Sequence, residues 1–391
     1  MSRFKKVISI LLAILSLLSC TVFPASAQPA TKEPLLTPSV SAESAVLMLA
    51  STGEILYEKS GDIPLPMAST TKIMTALVAL ELGKPEQMVT VAPEAVGVEG
   101  SSIYLTAGET LSLEHLLYAL LLESANDAAI AIACGLLGSV EKFADAMNEK
   151  ASALGLKQTH FTNPHGLDHE EHYTTASELA IITRALLENP LLRTIVSTRK
   201  TTIPHDGTDS VRLLVNHNKM LRLYEGCIGV KTGFTKRSGR CLVSAAERDG
   251  VTLIAVTLNA SDDWDDHAHL LDYGFSRYRS VTLCTAEEYL FPLSVVGGND
   301  DYVMVGNTAE VSAILPVHHG SVVVQVEAPR FVYARVTEGE PIGKVIFLCD
   351  VDANGTLQKI GEAELTARYS VEKKKVKRSF WQWLGALLGF Y

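Results

Sequence analysis

Apolar and polar positions follow two different patterns along the chain. Over residues 44–275, short apolar runs of strand character alternate with longer segments, such as residues 72–82, whose apolar positions recur at helical spacing. Beyond them the apolar runs become short and rich in valine, as in residues 321–326, and glycine, asparagine and aspartate separate them. The pattern therefore predicts a mixed α/β domain over residues 28–278, followed by a small all-β domain over residues 279–371.

The first residues have the three parts of a secretory signal peptide. Residues 3–6 are basic, residues 7–18 are apolar, and residues 25–27 offer the small side chains of a cleavage site. An apolar helix of this length reaches ~18 Å, which is too short to cross a ~30 Å hydrocarbon core. We expect residues 1–27 to be removed on export. Lipoprotein cleavage before Cys20 is the alternative, disfavoured because a bulky leucine stands two residues before it.

Residues 372–391 combine charge and apolar character in the order of a membrane anchor. Five cations between residues 373 and 378 precede a stretch rich in tryptophan, leucine and phenylalanine. The stretch from Ser379 makes at most ~20 Å of helix, so it is expected to lie in the interface of an anionic membrane, with the cations of residues 373–391 on the lipid headgroups. Together with export, this predicts a protein held peripherally at the outer face of the cytoplasmic membrane. The alternative is a tail that packs against the β domain.

Composition and charge narrow the choice of partners. The chain is 47% hydrophobic and 20% charged, which are values of a globular protein. Its formal net charge is −10, and because both ends are basic, the body between them is more acidic still. Such a body repels phosphate backbones, so no nucleic-acid partner is expected. Among the cysteines, Cys227 and Cys241 flank a predicted hairpin and are candidates for a disulfide, although free thiols are the preferred interpretation.

Several histidines raise the question of a metal site. His165, His169 and His172 are close in sequence, but the glycine-containing loop that carries them fixes no ligand geometry. We therefore expect no metal there. His267 and His269 are expected at the surface.

Ser69 and Lys72 stand three residues apart at a predicted helix start. A proline-rich stretch at residues 64–66 precedes them, and the apolar positions that follow hold a helical period. Residues at this spacing share a helix face at ~5–6 Å, so the ammonium can reach the hydroxyl. The helix dipole favours a neutral lysine and a developing oxyanion, which makes Ser69 a candidate nucleophile and Lys72 its base. By itself, Ser-x-x-Lys more often marks a solvated helix start.

A polar turn interrupts two apolar helical segments further along. Ser112 is a good cap for the first segment, while Ser124 and Asn126 lie in the turn before the second. Two residues apart, they can point into one cleft and supply a hydroxyl for proton relay and an amide for a substrate carbonyl. The alternative is that Asn126 or Asp127 only caps the second helix.

Residues 229–235 and 241–246 predict the two strands of a hairpin. On an edge strand, Lys231 and Thr232 can present an ammonium and a hydroxyl to a carboxylate, and Gly233 lets a ligand approach the backbone. An exposed lysine on an edge strand otherwise only protects the edge from pairing.

The three motifs form a set that is far more specific than any one of them. In chain order they are Ser69-x-x-Lys72, Ser124-x-Asn126 and Lys231-Thr232-Gly233, as in penicillin-binding proteins and serine β-lactamases. With residues 50–57, 163–167 and 272–275, the chain resembles the low-molecular-weight penicillin-binding proteins, the serine-type D-alanyl-D-alanine carboxypeptidases, over about residues 40–370. The resemblance implies a serine β-lactamase/transpeptidase-like domain, an antiparallel sheet with helices, followed by a small all-β domain.

The resemblance also implies catalytic roles. Ser69 would attack the carbonyl of the penultimate D-alanine of a peptidoglycan stem pentapeptide, and Lys72 would take its proton. Ser124 would pass a proton to the leaving amine. The backbone N–H groups of Ser69 and Phe234, the latter next to Gly233, would form the oxyanion hole. No metal or organic cofactor is needed for this chemistry.

Binding roles follow in the same way. Asn126 would hold the peptide amide of the substrate, whereas Lys231 and Thr232 would bind its terminal carboxylate. β-Lactams are then expected inhibitors, because their acidic group can occupy the same place. Members from Gram-negative bacteria carry an arginine shortly before the segment matching residues 270–275, where this chain has Asp-Asp-Trp-Asp-Asp at residues 262–266. Lys231 and Thr232 are therefore expected to bind the carboxylate alone.

Two other functions use the same motifs. A serine β-lactamase must hydrolyse its acyl-enzyme rapidly, but the chain lacks the Glu-x-x-Leu-Asn pattern with which class A enzymes hold the hydrolytic water. A non-catalytic sensor of wall peptides or penicillin would keep the pocket without the chemistry. The presence of Ser69, Lys72, Ser124 and Lys231 together argues against such a sensor.

Overall fold

The computed structural model describes residues 37–205, 210–351 and 354–375. The predicted signal peptide and residues 376–391 of the predicted anchor lie outside the described residues. Within these ranges the chain forms a mixed α/β domain with an antiparallel sheet and a separate β-rich domain, which confirms the predicted fold class. None of the helices described there is both long and apolar enough to span a membrane. The residue limits of the domains stay predictions.

The α/β domain is built on a five-stranded antiparallel sheet with the strand order β2-β1-β9-β8-β7. Both faces of the central strands are covered, because Val46 and Met48 of β1 belong to one core and Leu47 and Leu49 to another. Strand β7 forms an edge of this sheet, as the sequence predicts for Lys231. The five strands are β1 (Ser44–Leu49), β2 (Ile55–Lys59), β7 (Cys227–Thr235), β8 (Gly239–Arg248) and β9 (Val251–Leu258).

Helices cover the two faces of the sheet unequally. The larger core packs one face against six helices, and α8 packs against the other face through Leu270 and Leu271. Ser112 caps α2 by accepting the backbone N–H of His115 at 3.2 Å, which confirms its predicted role. The helices are α1 (Lys72–Leu82), α2 (Leu113–Leu122), α3 (Asn126–Leu137), α4 (Val140–Ala153), α5 (Ala176–Glu188), α6 (Pro190–Ser197), α7 (Met220–Leu223) and α8 (Asp263–Arg277).

Two short antiparallel hairpins complete the α/β domain. One pairs β3 (Met88–Thr90) with β4 (Thr110–Ser112), and the other pairs β5 (Lys200–Pro204) with β6 (Val211–Val215). Arg212 of the second hairpin forms an ion pair with the buried carboxylate of Glu109. This contact ties the hairpin to the loop that precedes β4.

The strands of the β-rich domain follow α8 directly, and the first of them starts at Tyr278. The main sheet of this domain has six strands in the order β14-β16-β17-β12-β11-β15, and β10 pairs separately with β13. Side chains alternate between the two faces of β12, so Val303 and Val305 are buried on one face. Together with Phe347 of β16 they belong to a hydrophobic core that is separate from those of the α/β domain. The strands are β10 (Tyr278–Cys284), β11 (Leu290–Val296), β12 (Tyr302–Asn307), β13 (Val311–Pro316), β14 (Val323–Glu327), β15 (Phe331–Tyr333), β16 (Pro341–Cys349) and β17 (Gln358–Ala367).

The cysteines of the described ranges are free thiols, and no disulfide joins Cys227 and Cys241. Both thiols are at least partly buried, and burial raises the pKa of each to about 11. The preferred interpretation of free thiols is confirmed for all described cysteines: Cys134, Cys227, Cys241, Cys284 and Cys349.

The prediction that His267 lies at the surface is wrong. Helix α8 turns its side chain against the sheet, where it is fully buried and its Nε2 lies 3.0 Å from Thr257 Oγ1. Burial holds the pKa of His267 at about 3, so the ring is neutral. His269, two residues on, is exposed as predicted. A helical period places the two on different faces, which the sequence alone did not assign.

Candidate active site

The turn that carries Ser69 comes immediately before the first helix. Residues Ala68–Thr71 form a 3-10 turn that continues into α1, so the predicted helix start is confirmed and Ser69 lies in its tight first turn. Ala68 has φ of 47°, a left-handed conformation that costs an alanine about 1–2 kcal/mol. Thr71 stabilises the turn by donating its hydroxyl to the Ala68 carbonyl oxygen at 2.8 Å.

Two glycines let other segments reach this turn. A Cβ on Gly166, whose φ is 89°, would lie 2.0 Å from the carbonyl oxygen of Ala68. A Cβ on Gly233 of β7 would lie 3.0 Å from the backbone nitrogen of Ser69. The loop around Gly166 and the edge strand therefore approach the nucleophile's backbone at positions where no side chain fits.

Lys72 is fully buried beneath Ser69. Its Nζ lies 2.8 Å from Ser69 Oγ, 2.7 Å from Asn126 Oδ1 and 2.6 Å from the carbonyl oxygen of His165. Burial holds the pKa of Lys72 well below its usual range, and the nearby Lys231 lowers it further, against a smaller opposing effect of Asp127. A neutral amine has two N–H groups, which suffice for the oxygens of Asn126 and His165. Its lone pair then faces the Ser69 hydroxyl, which is the arrangement of a general base.

The polar turn before α3 brings Ser124 and Asn126 to the same place. Ser124 has φ of 61° and is 5% exposed, while Asn126 is 4% exposed. Asn126 is the first residue of α3 and does not cap it, since its Oδ1 accepts from Lys72 and its Nδ2 donates to the carbonyl oxygen of Glu99 at 2.6 Å. Asp127 accepts from the backbone of Ile103, so it holds the neighbouring loop. The capping interpretation of Asn126 is therefore wrong.

Lys231 lies on the inner face of β7. It pairs across the sheet with Val243, which belongs to the core behind the nucleophile, and its side chain is 1% exposed. Its Nζ donates to the carbonyl oxygen of Thr232 at 2.8 Å. Burial lowers the pKa of Lys231 to about 7, with a weaker opposing effect of Glu123.

An open cleft of about 340 Å³ connects these motifs. Five of the residues that the sequence predicts for the site line it: Ser69, Ser124, Thr232, Gly233 and Phe234. The other three, Lys72, Asn126 and Lys231, lie buried behind the cleft wall. The structure thus brings all eight predicted residues into one region.

Other residues of the cleft were not predicted from the sequence. The carbonyl group of His165 binds both Lys72 and, at 3.5 Å, Ser69 Oγ, although its chain position lies far from either. The segment around His165 supported the family resemblance, but no role for its backbone could be read from it. Further cleft-lining residues are Ser101, His217, Arg240, Asp263 and Trp264.

The histidines considered for a metal have other contacts. His172 Nε2 lies 2.7 Å from Thr71 Oγ1, and His165 Nδ1 accepts the backbone N–H of Leu167 at 3.1 Å. Burial lowers the pKa of both His165 and His172 to about 3, so both rings are neutral. Within the described ranges, no three metal-ligating side chains are grouped so as to hold an ion.

Fold and site together define the class of penicillin-binding DD-peptidases. The structure is similar to penicillin binding protein 5 from Haemophilus influenzae, with a TM-score of 0.63 and 28% identity over 87% of this chain and 100% of that chain. In sequence, the chain is 30% identical to the D-alanyl-D-alanine carboxypeptidase DacF of Bacillus subtilis, covering 88% of this chain and 90% of that protein. It is 34% identical to a D-alanyl-D-alanine carboxypeptidase of Streptomyces sp., and the match covers 64% of this chain and 92% of that protein.

The family model of D-alanyl-D-alanine carboxypeptidases matches residues 28–262. This chain therefore belongs to the D-alanyl-D-alanine carboxypeptidase family and is a serine peptidase, a hydrolase of the cell wall.

Proposed function

We propose that this protein removes the terminal D-alanine from peptidoglycan stem pentapeptides through an acyl-enzyme on Ser69. The observation that carries the proposal is the buried Lys72 Nζ, 2.8 Å from Ser69 Oγ and held on its other side by Asn126 and His165. Desolvation lowers the pKa of Lys72 and so favours the neutral amine, which can take the hydroxyl proton as the bond to the substrate carbonyl forms.

Acylation follows from the placement of the other groups. The oxyanion forms between the backbone N–H groups of Ser69 and Phe234, which Gly233 brings close together. Ser124 passes a proton to the leaving amine, and free D-alanine departs. Water then attacks the acyl carbon, which releases the shortened peptide as a carboxylic acid and returns the proton to Ser69.

Recognition uses both sides of the cleft. Asn126 binds the peptide amide of the substrate, while the Thr232 hydroxyl on β7 binds its terminal carboxylate. A β-lactam carries its acid group at the corresponding place, so it acylates Ser69 and inhibits the enzyme.

The same proposal extends to location. The predicted signal peptide exports the chain, and residues 373–391 hold it on the outer face of the cytoplasmic membrane. The described start of this segment supports an anchor that departs from the β-rich domain, because the Lys374 backbone N–H donates to the Gly297 carbonyl oxygen at 2.9 Å.

Release of free D-alanine from a synthetic pentapeptide tests the function. Wild-type protein is expected to release it and to form a mass-shifted adduct with penicillin on the peptide containing Ser69. Ser69→Ala is expected to lose both activities, whereas Ser101→Ala, a change at another serine of the cleft, keeps them. Rapid penicillin hydrolysis without D-alanine release would indicate a β-lactamase. A stable penicillin adduct without D-alanine release would indicate a sensor.

A further inference from the structure

The positive charges near the cleft differ in their access to a ligand. Lys72 and Lys231 are buried behind the wall, and neither lines the open volume. His217 lines it but lies 3.2 Å from the carboxylate of Glu123. Among the cleft-lining residues that the structure describes, Arg240 is the remaining cation.

Arg240 lies on the same side of the sheet as Thr232. Arg240 of β8 pairs with Phe234 of β7, and Thr232 lies two residues before Phe234. Because side chains alternate along a strand, Thr232, Phe234 and Arg240 share one face, while Lys231 faces the opposite core. Diagonal neighbours across two strands have Cβ atoms ~7 Å apart, a distance that an arginine side chain spans.

The start of α8 fixes the guanidinium of Arg240. Its Nη2 donates to Oδ1 of Asp263, which is 3% exposed, and the guanidinium carbon lies 5.7 Å from the centre of the Trp264 ring. Lys219 Nζ lies 5.8 Å from the same ring, which adds a second positive charge to offset Asp263. Asp263 occupies one of the five N–H groups of the guanidinium, and the side chain of Arg240, which lines the cleft, is 42% exposed. The guanidinium is therefore preorganised with donors to spare.

We propose that Arg240 is the cation that directly binds the terminal carboxylate of the substrate, together with the hydroxyl of Thr232. The inference rests on the proposed function and replaces the expectation that Lys231 and Thr232 bind the carboxylate alone. Asp263 and Trp264 act as positioning residues, and they occupy the acidic segment in which the sequence showed no arginine. Lys231 acts from behind the strand, where it holds the Thr232 carbonyl.

The charge states of the two side chains support the assignment of the substrate carboxylate to Arg240 rather than to Lys231. Burial lowers the pKa of Lys231 to about 7, so near neutral pH its ammonium is present in only part of the free enzyme. A guanidinium keeps its charge throughout this range. Charge-assisted hydrogen bonds to a carboxylate are about twice as strong as neutral ones, so a permanent cation gives the cleft its preference for a free C-terminus.

The test compares an acylated peptide ending in D-alanyl-D-alanine with its C-terminal carboxamide. The measured quantity is kcat/KM for release of D-alanine or of D-alaninamide. Arg240→Gln keeps a donor for Asp263 and is expected to lower kcat/KM for the free acid by about 10- to 100-fold, with the amide unchanged. Arg240→Lys keeps the charge and retains most of the preference. Arg237→Gln removes the same charge from the exposed turn of this hairpin and is the matched control, expected to behave as wild type.

Stability is checked by thermal unfolding of each variant. If Arg240→Gln does not fold, the double change Arg240→Met with Asp263→Asn removes both partners without leaving a buried carboxylate unpaired. An unchanged preference for the free acid after loss of Arg240 would overturn the inference and leave the carboxypeptidase function standing. If the wild-type protein cleaves neither peptide, the proposed function fails and the inference fails with it.

Discussion

His172 Nε2 lies 2.7 Å from Thr71 Oγ1, two residues after the nucleophile. The Thr162 backbone N–H donates to Nδ1 of the same ring at 3.1 Å, so the ring proton sits on Nε2 and is donated to Thr71. Thr71 in turn donates to the carbonyl oxygen of Ala68. This chain of hydrogen bonds fixes the left-handed residue that precedes Ser69.

We predict that His172→Leu lowers the rate of acylation by penicillin about tenfold or more and destabilises the fold by about 1–3 kcal/mol, because Thr71 and Thr162 lose a buried partner. His172→Gln is the matched variant, since its amide can accept from Thr162 and donate to Thr71. It is expected to recover most of the acylation rate. Stopped-flow acylation and urea unfolding measure the two effects. Equal acylation rates in His172→Leu and wild type would contradict a positioning role.

The contact between Gly166 and Ala68 gives a second prediction. Gly166→Ala is expected to abolish most acylation, because its Cβ would lie 2.0 Å from a backbone oxygen of the nucleophile's turn. Gly155→Ala is a control of similar conformation, with φ of 78° against 89° and nothing within 4 Å of its Cβ. It should cost only the backbone penalty of about 1 kcal/mol and leave acylation intact. Similar losses of acylation in both variants would show that the contact with Ala68 is unimportant.

The lowered pKa of Lys231 leads to a third prediction, that the stability of the fold depends on pH. Its pKa in the folded protein is about 7, below its ordinary value of 10.5, so between these values the unfolded chain binds more protons than the folded one. The free energy of unfolding therefore gains up to about 1.4 kcal/mol per pH unit from this residue as pH rises through that interval. Lys231→Met removes the contribution. The measurement is the difference in urea unfolding between wild type and Lys231→Met from pH 6 to 10, expected to favour the wild type increasingly as pH rises. A constant difference would show that Lys231 keeps an ordinary pKa.

Local patterns sufficed to predict the parts of the site that lie within single segments. The start of α1, the Ser112 cap and the hairpin of Lys231 each depend on neighbours a few residues away, and each is confirmed. The backbone contacts of His165 and Gly166 with the nucleophile's turn join segments more than ninety residues apart. No periodicity encodes such contacts, because a carbonyl group or an absent Cβ leaves no mark on the apolar pattern.

Arg240 is a second feature of the site that could not be predicted from the sequence. The sequence shows an acidic run at residues 262–266 and no arginine beside it, so a cation at this end of the cleft was not expected. The sheet register supplies one from β8, and Asp263 of the acidic run is the residue that holds it. The charges around the cleft therefore depend on which residues are neighbours in the folded structure, and the pairing of strands decides this.

The last prediction concerns the basic and apolar segment at the C-terminus. Backbone hydrogen bonds tie residues 371–374 to the β-rich domain, so a chain ending at Lys375 keeps every described contact of that domain. It is expected to release D-alanine as the full mature chain does, but to stay in the supernatant with anionic vesicles. The full chain should pellet with them and wash off partly in salt, because cations contribute ~1 kcal/mol each near anionic lipid and apolar burial supplies the rest. Neutral vesicles serve as the control and should retain less of it. Equal vesicle binding by both chains would rule out the segment as the anchor.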